Sequence, residues 1–291
     1  MRVVVFGATG TIGTALVPVL ARDHDVIAVS RHERANTGRV TWVVADATDP
    51  ESVRAALAGA EVAYYLVHSL GSSDFERRDR IAAETVAAEA SVAGLRQIVY
   101  LGGLGDDAPD LSPHLRSRME TGHALASGST PVTTLRAAMV VGAGSAAFET
   151  ILALVDRLPA MVCPRWVSTP TQPIALDDVV AYLAASCGRE EFFGESFDVG
   201  GPEVMTYRQM IEQIGRLRGR RPLIVEVPVL TPRLSSYWLR LVTPVGASVA
   251  RPLIEGLRTA TIVRDDRIRR LAPIELTPFA TAVAQAVEAR K

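Results

Sequence analysis

Three glycines near the start of the chain constrain its fold most strongly. A short apolar run, Val3–Phe6, is followed at once by Gly7-Ala8-Thr9-Gly10-Thr11-Ile12-Gly13, and then by a segment of helical character that extends to about residue 21. Because glycine has no Cβ, the backbone can turn tightly here, and a pyrophosphate can approach main-chain N–H groups at the positive end of the helix. Gly13 would also let the helix pack closely on the strand. A strand before the glycines and a helix after them favour a nucleotide-binding loop over an ordinary turn.

The pattern of strand and helix continues through the first half of the chain. Short apolar runs predict strands over 3–6, 26–29, 40–44, 62–67, 97–101 and 132–136. Longer, mostly Ala-rich segments between them predict helices over 12–21, 51–57 and 114–126, and a long helix after residue 75. Strands without polar alternation are buried on both faces, and helical crossovers make neighbouring strands parallel. The sequence therefore predicts an α/β fold with a Rossmann-type, doubly wound parallel sheet.

This regular pattern loosens after about residue 145, where prolines become frequent. A helix over 176–185 and a strand over 195–199 are expected to return to the first sheet. We therefore predict a Rossmann domain formed by residues 1–160 plus about 174–200. Residues 161–173 and 201–291 would form a smaller C-terminal lobe that covers a substrate.

Charge and cysteine content exclude several classes of partner. The chain has 31 Lys and Arg against 32 Asp and Glu, so a net charge of -1 gives no electrostatic reason to bind nucleic acid or an anionic membrane. No run reaches the roughly 18 apolar residues of a membrane helix, and the N-terminus does not resemble a secretion signal. Two cysteines, Cys163 and Cys187, are too few for a disulfide framework or a zinc site. These features predict a cytoplasmic protein that binds no metal and does not insert into membranes.

The end of the second strand bears on the choice of cofactor. An NAD site usually has a carboxylate there to accept a hydrogen bond from the ribose 2′-hydroxyl, whereas this chain has Ser30 and Arg31. A guanidinium can pair with the 2′-phosphate of NADP, so NADP(H) is preferred and NAD remains possible. Arg34 could assist. In the alternative interpretation these arginines are solvated loop cations.

Two aspartates follow the third strand. Asp46, at its carboxyl end, could accept a hydrogen bond from the adenine amino group. Either Asp46 or Asp49 could instead cap the helix that starts near Glu51. We favour Asp49 for the cap and Asp46 for the nucleotide.

Together these motifs resemble the atypical and extended short-chain dehydrogenase/reductase superfamily, whose glycine pattern is GxxGxxG, and within it the NmrA-like branch. The resemblance covers most of the chain and includes Gly7–Gly13, Asp46, 65–68 (YLVH), 100–103 (YLGG) and 173–179 (PIALDDV). It implies an NAD(P)-dependent oxidoreductase. The residues expected to bind the cofactor are Gly7, Thr9, Gly10, Thr11, Ile12, Gly13, Ser30, Arg31, Asp46, Ala47, Val67, His68, Gly102, Gly103 and Arg118.

The chain departs from the family's catalytic pattern, a Ser or Thr followed by Tyr-x-x-x-Lys. Gly102 and Gly103 stand where the resemblance implies the serine, and His114 and Arg118 stand where it implies the tyrosine and lysine. The four-residue spacing places both side chains on one helical face. The helix N-terminus and Arg118 should keep His114 neutral, while Arg118 could hold the nicotinamide ribose or the diphosphate. The alternative is an exposed helical turn with incidental charges.

Further candidates lie elsewhere in the chain. His68 follows the fourth strand, and Glu149 is a carboxylate among apolar residues that could act as a general acid if burial raised its pKa. More commonly, such a glutamate faces solvent or complements a helix dipole. The aromatic residues Trp166, Tyr237 and Trp238 are expected to pack in the core or in a lid, and the helix that begins near Thr206, with Tyr207, is expected to cover the pocket.

Three functions are compatible with these features. The first is an NADP(H)-dependent oxidoreductase acting on a small apolar organic substrate, with a proton from water or from His68, His114 or Glu149. The second is a catalytically silent NADP(H)-binding redox sensor or assembly factor, which the missing Ser, Tyr and Lys would favour. A third, an isomerase or epimerase that uses NAD transiently, is weaker because sugar oxidation normally needs that tyrosine and lysine.

Overall fold

A computed structural model describes residues 1–69, 74–105, 111–227 and 256–290. Its elements, in chain order, are β1 (Arg2–Phe6), α1 (Thr11–Leu20), β2 (Asp25–Ser30), β3 (Val40–Val44), α2 (Pro50–Leu57), β4 (Val62–Tyr65), α3 (Phe75–Ala93), β5 (Gln97–Gly103), α4 (Pro113–Leu125), β6 (Val132–Ala137), β7 (Val140–Val141), α5 (Ala146–Arg157), β8 (Ala160–Pro164), β9 (Pro170–Thr171), β10 (Ile174–Ala175), α6 (Leu176–Ala185), β11 (Ser196–Val199), β12 (Met205–Thr206), α7 (Tyr207–Leu217), β13 (Leu223–Val227), α8 (Arg267–Leu271) and α9 (Phe279–Glu288).

A seven-stranded parallel sheet forms the centre of the molecule, with strand order β11-β6-β5-β4-β1-β2-β3. In this sheet Val3 lies opposite Val26 on one side and Val62 on the other. The predicted Rossmann-type α/β fold is therefore confirmed. The chain builds the sheet outward from β1 to β3 and then returns to place β4 against the other side of β1. The carboxyl ends of β1 and β4 meet at this switch point, which is where ligands of doubly wound sheets bind.

Helices cover both faces of the sheet, so its strands carry apolar side chains on both sides. Val3 and Val5 point into a cluster with α1 and α6, whereas Val4 and Phe6 point into a second cluster with α2 and α3. All four side chains are fully buried. Successive residues of β1 therefore each contribute to a core, which explains why the strand shows no polar alternation.

A third apolar cluster is formed by α5, α7 and α9 together with β8. Helix α5 contributes Phe148, Ile151, Leu152 and Val155 to it, although the predicted boundary at residue 160 placed this helix in the first domain. Conversely, Ile268 of α8 packs in the first cluster, within the sequence range predicted for the second lobe. The apolar clusters in which α5 and α8 pack therefore do not coincide with the domain ranges predicted from the proline content.

Capping side chains set the start of two helices near the switch point. Asp49 accepts a hydrogen bond from the Ser52 N–H and Pro50 is the first residue of α2, as the sequence predicts. Ser112 likewise accepts from the Leu115 N–H at 3.2 Å. Since Pro113 begins α4, His114 lies in its first turn.

Two further observations concern metals and membranes. Among the residues described, no three or more His, Cys, Asp or Glu side chains are grouped so that they could hold a metal ion. In the same part of the chain, no helix is both long enough and apolar enough to cross a membrane. Cys163 and Cys187 are buried and not joined in a disulfide.

Candidate functional site

The glycine loop, Gly7–Gly13, leaves room for a ligand at only one of its three glycines. Gly7 has φ of +81°, and a Cβ there would lie 2.7 Å from the Leu66 carbonyl group. A Cβ on Gly13 would lie 2.3 Å from the Gly7 oxygen. At Gly10 the nearest atom to an added Cβ is 3.4 Å away, so the space above this residue is open. The first and third glycines are thus required by the packing of β1, α1 and β4, and the second provides the close backbone approach that a pyrophosphate needs.

Beside this loop is a cavity of about 520 Å³ at the carboxyl ends of β1 to β4. Its volume is in the range of small-molecule and cofactor sites. The residues that line it are Phe6, Gly7, Thr9, Gly10, Val29, Ser30, Arg31, Ala45, Asp46, Ala47, Thr48, Leu66, Val67, His68, Ser69, Arg78 and Ala82. The glycine cradle, the N-terminus of α1 and two arginines make this lining suited to a dinucleotide with its phosphates.

The cavity brings together many of the residues predicted to bind a cofactor. Those in its lining are Gly7, Thr9, Gly10, Ser30, Arg31, Asp46, Ala47, Val67 and His68. The others have different surroundings. Thr11 donates to the Gly144 carbonyl at 2.8 Å, Ile12 packs against the first apolar cluster, and Gly13 lies beneath the loop. Gly102 and Gly103 belong to β5, which pairs with β4 on the side away from β1, and Arg118 belongs to α4.

The turn after β2 presents a cation to the cavity. Ser30 is buried, and its hydroxyl accepts a hydrogen bond from the His32 N–H at 3.1 Å. Arg31 is exposed at the cavity, whereas the Arg34 guanidinium lies 5.1 Å from the ring centre of Trp42. A cation at the end of β2 suits a ribose that carries a 2′-phosphate.

Asp46 also lines the cavity, and hydrogen bonds within its own turn orient its side chain. Its Oδ1 accepts from the Thr48 N–H at 2.9 Å and from the Thr48 hydroxyl at 2.8 Å. These hydrogen bonds, together with the positive charges of Arg78 and Arg31, lower the pKa of Asp46. The carboxylate is therefore ionised at neutral pH and oriented, as an acceptor for an amino group must be.

A second group of polar side chains adjoins the cavity at His68. This histidine cluster comprises His68, Asp79, His114 and Arg118. His68 Nδ1 lies 2.6 Å from Asp79 Oδ2, and His68 Nε2 lies 3.2 Å from His114 Nδ1. Asp79 is fully buried, and its Oδ1 accepts from the Ser69 N–H at 2.9 Å. The predicted candidates His68, His114 and Arg118 thus come together, although they arise from different elements.

Close packing of α4 on β5 places Arg118 in this cluster. A Cβ on Gly103 would lie 3.0 Å from Leu115 Cδ2, so a larger residue would require the Leu115 side chain to shift. The Arg118 guanidinium donates to the carbonyls of Leu101 and Val67, and it lies 4.9 Å from the ring centre of Tyr100. A glycine at this position therefore has a packing role of its own.

Burial disfavours the charged form of both histidines. It is the largest cause that lowers the pKa of His114 to about 3, and the charges of His68 and Arg118 act in the same direction. The pKa of His68 is also lowered by burial and by Arg118, but Asp79 opposes this shift. The expected neutral state of His114 is thus found, with burial rather than the helix N-terminus as its main cause.

This shift predicts how the stability of the fold depends on pH. In the unfolded chain His114 titrates near 6.5, whereas in the folded protein its pKa is about 3. Between these values the unfolded state binds a proton that the folded state does not, so stability falls as the pH decreases below 6.5. The slope from this group approaches about 1.4 kcal/mol per pH unit.

Urea unfolding of wild-type and His114→Gln proteins between pH 4 and 8 measures this effect. We expect the variant to lose less stability on acidification than the wild type. His123→Gln changes an exposed histidine on the same helix and serves as the control. Equal slopes for wild type and His114→Gln would contradict the shift.

The partners of Glu149 are a backbone N–H group and an arginine. Its Oε1 accepts from the Gly144 N–H at 3.1 Å, and its Oε2 lies 3.2 Å from the Arg290 guanidinium. It also lies in the first turn of α5. These bonds favour a structural role at the start of the helix over that of a general acid.

The predicted aromatic residues fall partly outside the described chain. Trp166 packs edge-on against Tyr207, with ring centres 6.3 Å apart, which fits packing in the third cluster. Tyr207 is the first residue of α7, whose Thr206 cap is part of a capping box. Tyr237 and Trp238 lie outside the described residues.

Three polar residues of the site were missed from the sequence. One is Thr48, which lines the cavity after β3, and the other two are in α3. Arg78 lines the cavity, and Asp79 anchors His68. A signal for Asp79 is present in the spacing of α3, because all but one of its buried residues, 79, 82, 83, 86, 87 and 90, fall on one helical face, the exception being Glu89. A carboxylate on such an otherwise apolar face must find a partner when it is buried.

The fold and the glycine loop define a dinucleotide-binding domain of the Rossmann class. Residues 7–137 match the model of a family described as NAD(P)H-binding. The cofactor class predicted from the glycine loop is therefore confirmed.

Two curated proteins resemble the chain over most of its length. One is "NADH dehydrogenase [ubiquinone] 1 alpha subcomplex subunit 9, mitochondrial" of Arabidopsis thaliana, 25% identical over 77% of this chain. The chain spans only 60% of the length of that plant protein. The other is a (4-alkanoyl-5-oxo-2,5-dihydrofuran-3-yl)methyl phosphate reductase of Streptomyces griseus, 28% identical over 75% of this chain and 74% of its own length.

Among solved structures, an NADPH-dependent quinone oxidoreductase from Escherichia coli in complex with NADPH has a similar fold. It superposes with a TM-score of 0.77 and 20% identity, and the match covers 98% of this chain and 99% of the other. At this identity the likeness establishes the shared fold alone.

Proposed function

We propose that this protein is an NADPH-dependent reductase of a small, largely apolar organic substrate. The observation that carries the proposal is the hydrogen bond of 3.2 Å between His68, which lines the dinucleotide cavity, and His114. A cofactor site and a pair of proton-carrying side chains are thereby contiguous. A protein that only binds a dinucleotide has no need of such a pair.

The residues of the cavity would hold the cofactor by charge and by backbone contacts. The amides of the glycine loop would bind the diphosphate, Asp46 the adenine amino group, and Arg31 the 2′-phosphate. Arg78, which lines the same cavity, adds a second cation. This balance of charges favours NADPH over NADH.

Once bound, the nicotinamide would supply a hydride to an electrophilic carbon of the substrate. The chain's part is to hold the substrate and to place a proton donor where negative charge develops. Arg118 holds the ends of β4 and β5 together through the carbonyls of Val67 and Leu101, which fixes the position of His114 one turn earlier. The lobe formed by 161–173 and 201–291 would cover the substrate and exclude water.

A conjugated carbonyl compound is the class of substrate that we would test first. Of the similar proteins, one is named for a quinone and another for an oxo-dihydrofuran. Both molecules contain a carbon–carbon double bond next to a carbonyl group. Hydride addition to such a system creates an enolate-type anion, which needs a proton from the protein.

Transfer of deuterium from labelled NADPH to product tests the proposal. The protein would be incubated with (4R)- and (4S)-[4-²H]NADPH and a panel of small unsaturated ketones, whose products keep a transferred deuterium on carbon, then with a bacterial metabolite extract. We expect a deuterated product from one of the two cofactors, because hydride transfer on a protein is stereospecific. Mass spectrometry would identify the product.

Matched variants make this result specific to the site. We expect His114→Gln to transfer label at least about 100-fold more slowly than wild type, the usual effect of losing a proton donor. His123→Gln should behave as wild type. If NADPH binds but no label reaches any product, the reductase proposal fails.

That outcome would favour a second function, an NADP(H)-binding sensor or assembly factor. A specific observation supports this alternative, because the similar plant protein is named as a subunit of NADH dehydrogenase. The glycines at 102 and 103 and the pair His114 and Arg118 also replace the residues that the reductase superfamily normally uses. A sensor should bind NADPH and NADP⁺ with different affinities and turn over neither.

A further inference from the structure

A buried carboxylate joins the two histidines into one hydrogen-bonded chain. Asp79 of α3 accepts from the Ser69 N–H with one oxygen and contacts His68 Nδ1 at 2.6 Å with the other. His68 Nε2 then contacts His114 Nδ1 of α4 at 3.2 Å, and the two rings lie 5.1 Å apart between centres. A continuous line of proton-binding atoms thus runs from inside α3 to the first turn of α4.

These contacts determine which nitrogen carries each proton. Asp79 accepts hydrogen bonds through its carboxylate oxygens, so His68 donates to it from Nδ1. While His68 is neutral its Nε2 is bare, so His114 donates to it from Nδ1 and leaves its own Nε2 bare. When His68 gains a proton on Nε2 the bond between the rings reverses. His114 then accepts at Nδ1 and carries its single proton on Nε2.

We propose that Asp79, His68 and His114 form a proton relay in which His68 stores the positive charge and His114, always neutral, donates the proton from Nε2. The proposal rests on the reductase function proposed above. As the substrate gains negative charge, its anionic atom takes the Nε2 proton of His114. His114 takes the Nε2 proton of His68 at Nδ1, and His68 keeps its Nδ1 proton toward Asp79. One proton leaves the relay, and one water-derived proton reloads it.

The surroundings of the rings explain why the charge belongs on His68. Asp79 contacts His68 directly, whereas Arg118 faces both rings from α4 and disfavours charge on each. Burial holds the pKa of His114 low, and among the residues that the structure describes no carboxylate opposes this shift. A relay allows such a histidine to donate a proton, which a neutral imidazole alone does poorly.

Two buried tyrosines near the cluster are unsuited to this role. The Tyr65 hydroxyl lies 3.4 Å from the Asp79 carbonyl, and the Tyr100 hydroxyl donates to the Arg118 carbonyl at 2.7 Å. Burial raises the pKa of both phenols. Both hydroxyls are engaged with the backbone of α3 and α4, so the two histidines are the groups that exchange protons and Asp79 orients His68.

Nitrogen NMR of the histidine rings tests the relay without any substrate. The full chain would be labelled with ¹⁵N-histidine, and long-range ¹H–¹⁵N spectra recorded from pH 5 to 9, free and with NADP⁺ bound. His68→Gln and His114→Gln spectra would assign the signals among the five histidines. We expect both rings to carry Nδ1–H at high pH. In one coupled transition on acidification, His68 should become doubly protonated while His114 moves its proton to Nε2.

Asp79→Asn is the decisive variant, because it keeps the shape of the side chain and removes its charge. We expect it to move the coupled transition down by about one pH unit or more. The control is Asp178→Asn, which removes a different buried carboxylate that accepts from the Thr277 N–H and hydroxyl. This control should leave the transition in place. If Asp79→Asn does not fold, the wild-type tautomers decide the question.

Three results would overturn the relay. They are a doubly protonated His114, a His114 that stays protonated on Nδ1 throughout, and the absence of a transition between pH 5 and 9. The tautomers are read without turnover, so the relay and the reductase can fail separately. If the tautomers exchange but no label is transferred, the relay is supported and the reductase proposal fails. If label is transferred but the tautomers do not exchange, the reductase is supported and the relay fails.

Discussion

Gly13→Ala should both destabilise the fold and abolish NADPH binding. The added methyl carbon would lie 2.3 Å from the Gly7 oxygen and 2.6 Å from Ala8 Cα, and both of these are backbone atoms that cannot rotate away. Relief requires α1 to move off β1, which opens the first apolar cluster. We expect a loss of at least about 2 kcal/mol in the free energy of unfolding, the usual cost of overpacking a core. Urea unfolding and isothermal titration with NADPH measure the two effects.

Gly10→Ala separates cofactor binding from folding. This residue has extended backbone angles that alanine can adopt, and its added Cβ would meet only the Gly7 oxygen at 3.4 Å. We expect stability within about 1 kcal/mol of wild type, since a cap position prefers glycine to alanine only moderately. NADPH affinity should nevertheless fall at least about tenfold, because the methyl group enters the space left for the diphosphate. For the first variant, Gly13→Ala, a free energy of unfolding and an NADPH affinity equal to those of the wild type would contradict the roles proposed for the glycine loop.

Much of the fold could be predicted because its signals are local. The apolar run of Val3–Phe6, the glycines after it and the apolar helix that follows define one β–α unit, and the later units repeat the pattern. The cap of α2 was also predictable, since Asp49 acts on an N–H group three residues away. The limits of the second lobe stay a prediction, and α5 and α8 join apolar clusters whose other members are distant in sequence.

In the candidate site, too, some residues could be predicted from local sequence, whereas others depend on tertiary packing. Arg31 and Asp46 follow directly from their positions at strand ends, and both line the cavity. The meeting of His68 with His114 depends on how closely α4 approaches β5, and at Gly103 an added Cβ would lie only 3.0 Å from Leu115 of this helix. From the sequence that glycine stands in place of an expected serine, whereas in the structure it is a packing residue.

The role of Asp79 was the least accessible to sequence reasoning. A charged residue in Phe75-Glu76-Arg77-Arg78-Asp79-Arg80 looks like one of many solvated charges at a helix start. Only its register with the buried alanines and valine of α3 distinguishes it. Its partner, His68, belongs to the segment after β4, and their pairing depends on how α3 packs on the sheet.

The second large effect should come from Arg31→Asp, which is expected to reverse the cofactor preference. Arg31 lines the cavity at the end of β2, where a carboxylate would accept from the 2′-hydroxyl of NADH and repel the 2′-phosphate of NADPH. Loss of a charge-assisted hydrogen bond costs about 1.5–3 kcal/mol, or roughly 10- to 100-fold in affinity, and repulsion adds to it. We therefore expect NADPH to bind at least about 100-fold more weakly and NADH to bind as well as before or better.

Titration of both cofactors against Arg31→Asp, Arg31→Ala and Arg39→Ala distinguishes a specific contact from general charge. Arg39 pairs with Asp25 at the opposite end of β2. Its replacement by alanine changes the net charge by the same amount as Arg31→Ala but leaves the cavity intact. We expect Arg39→Ala to bind both cofactors as the wild type does. Arg31→Ala should weaken NADPH alone, and raised salt should reduce the difference between wild type and Arg31→Ala because the contact is exposed. Equal losses for NADPH and NADH in Arg31→Ala would place the 2′-phosphate elsewhere, with Arg78 as the next cation to change.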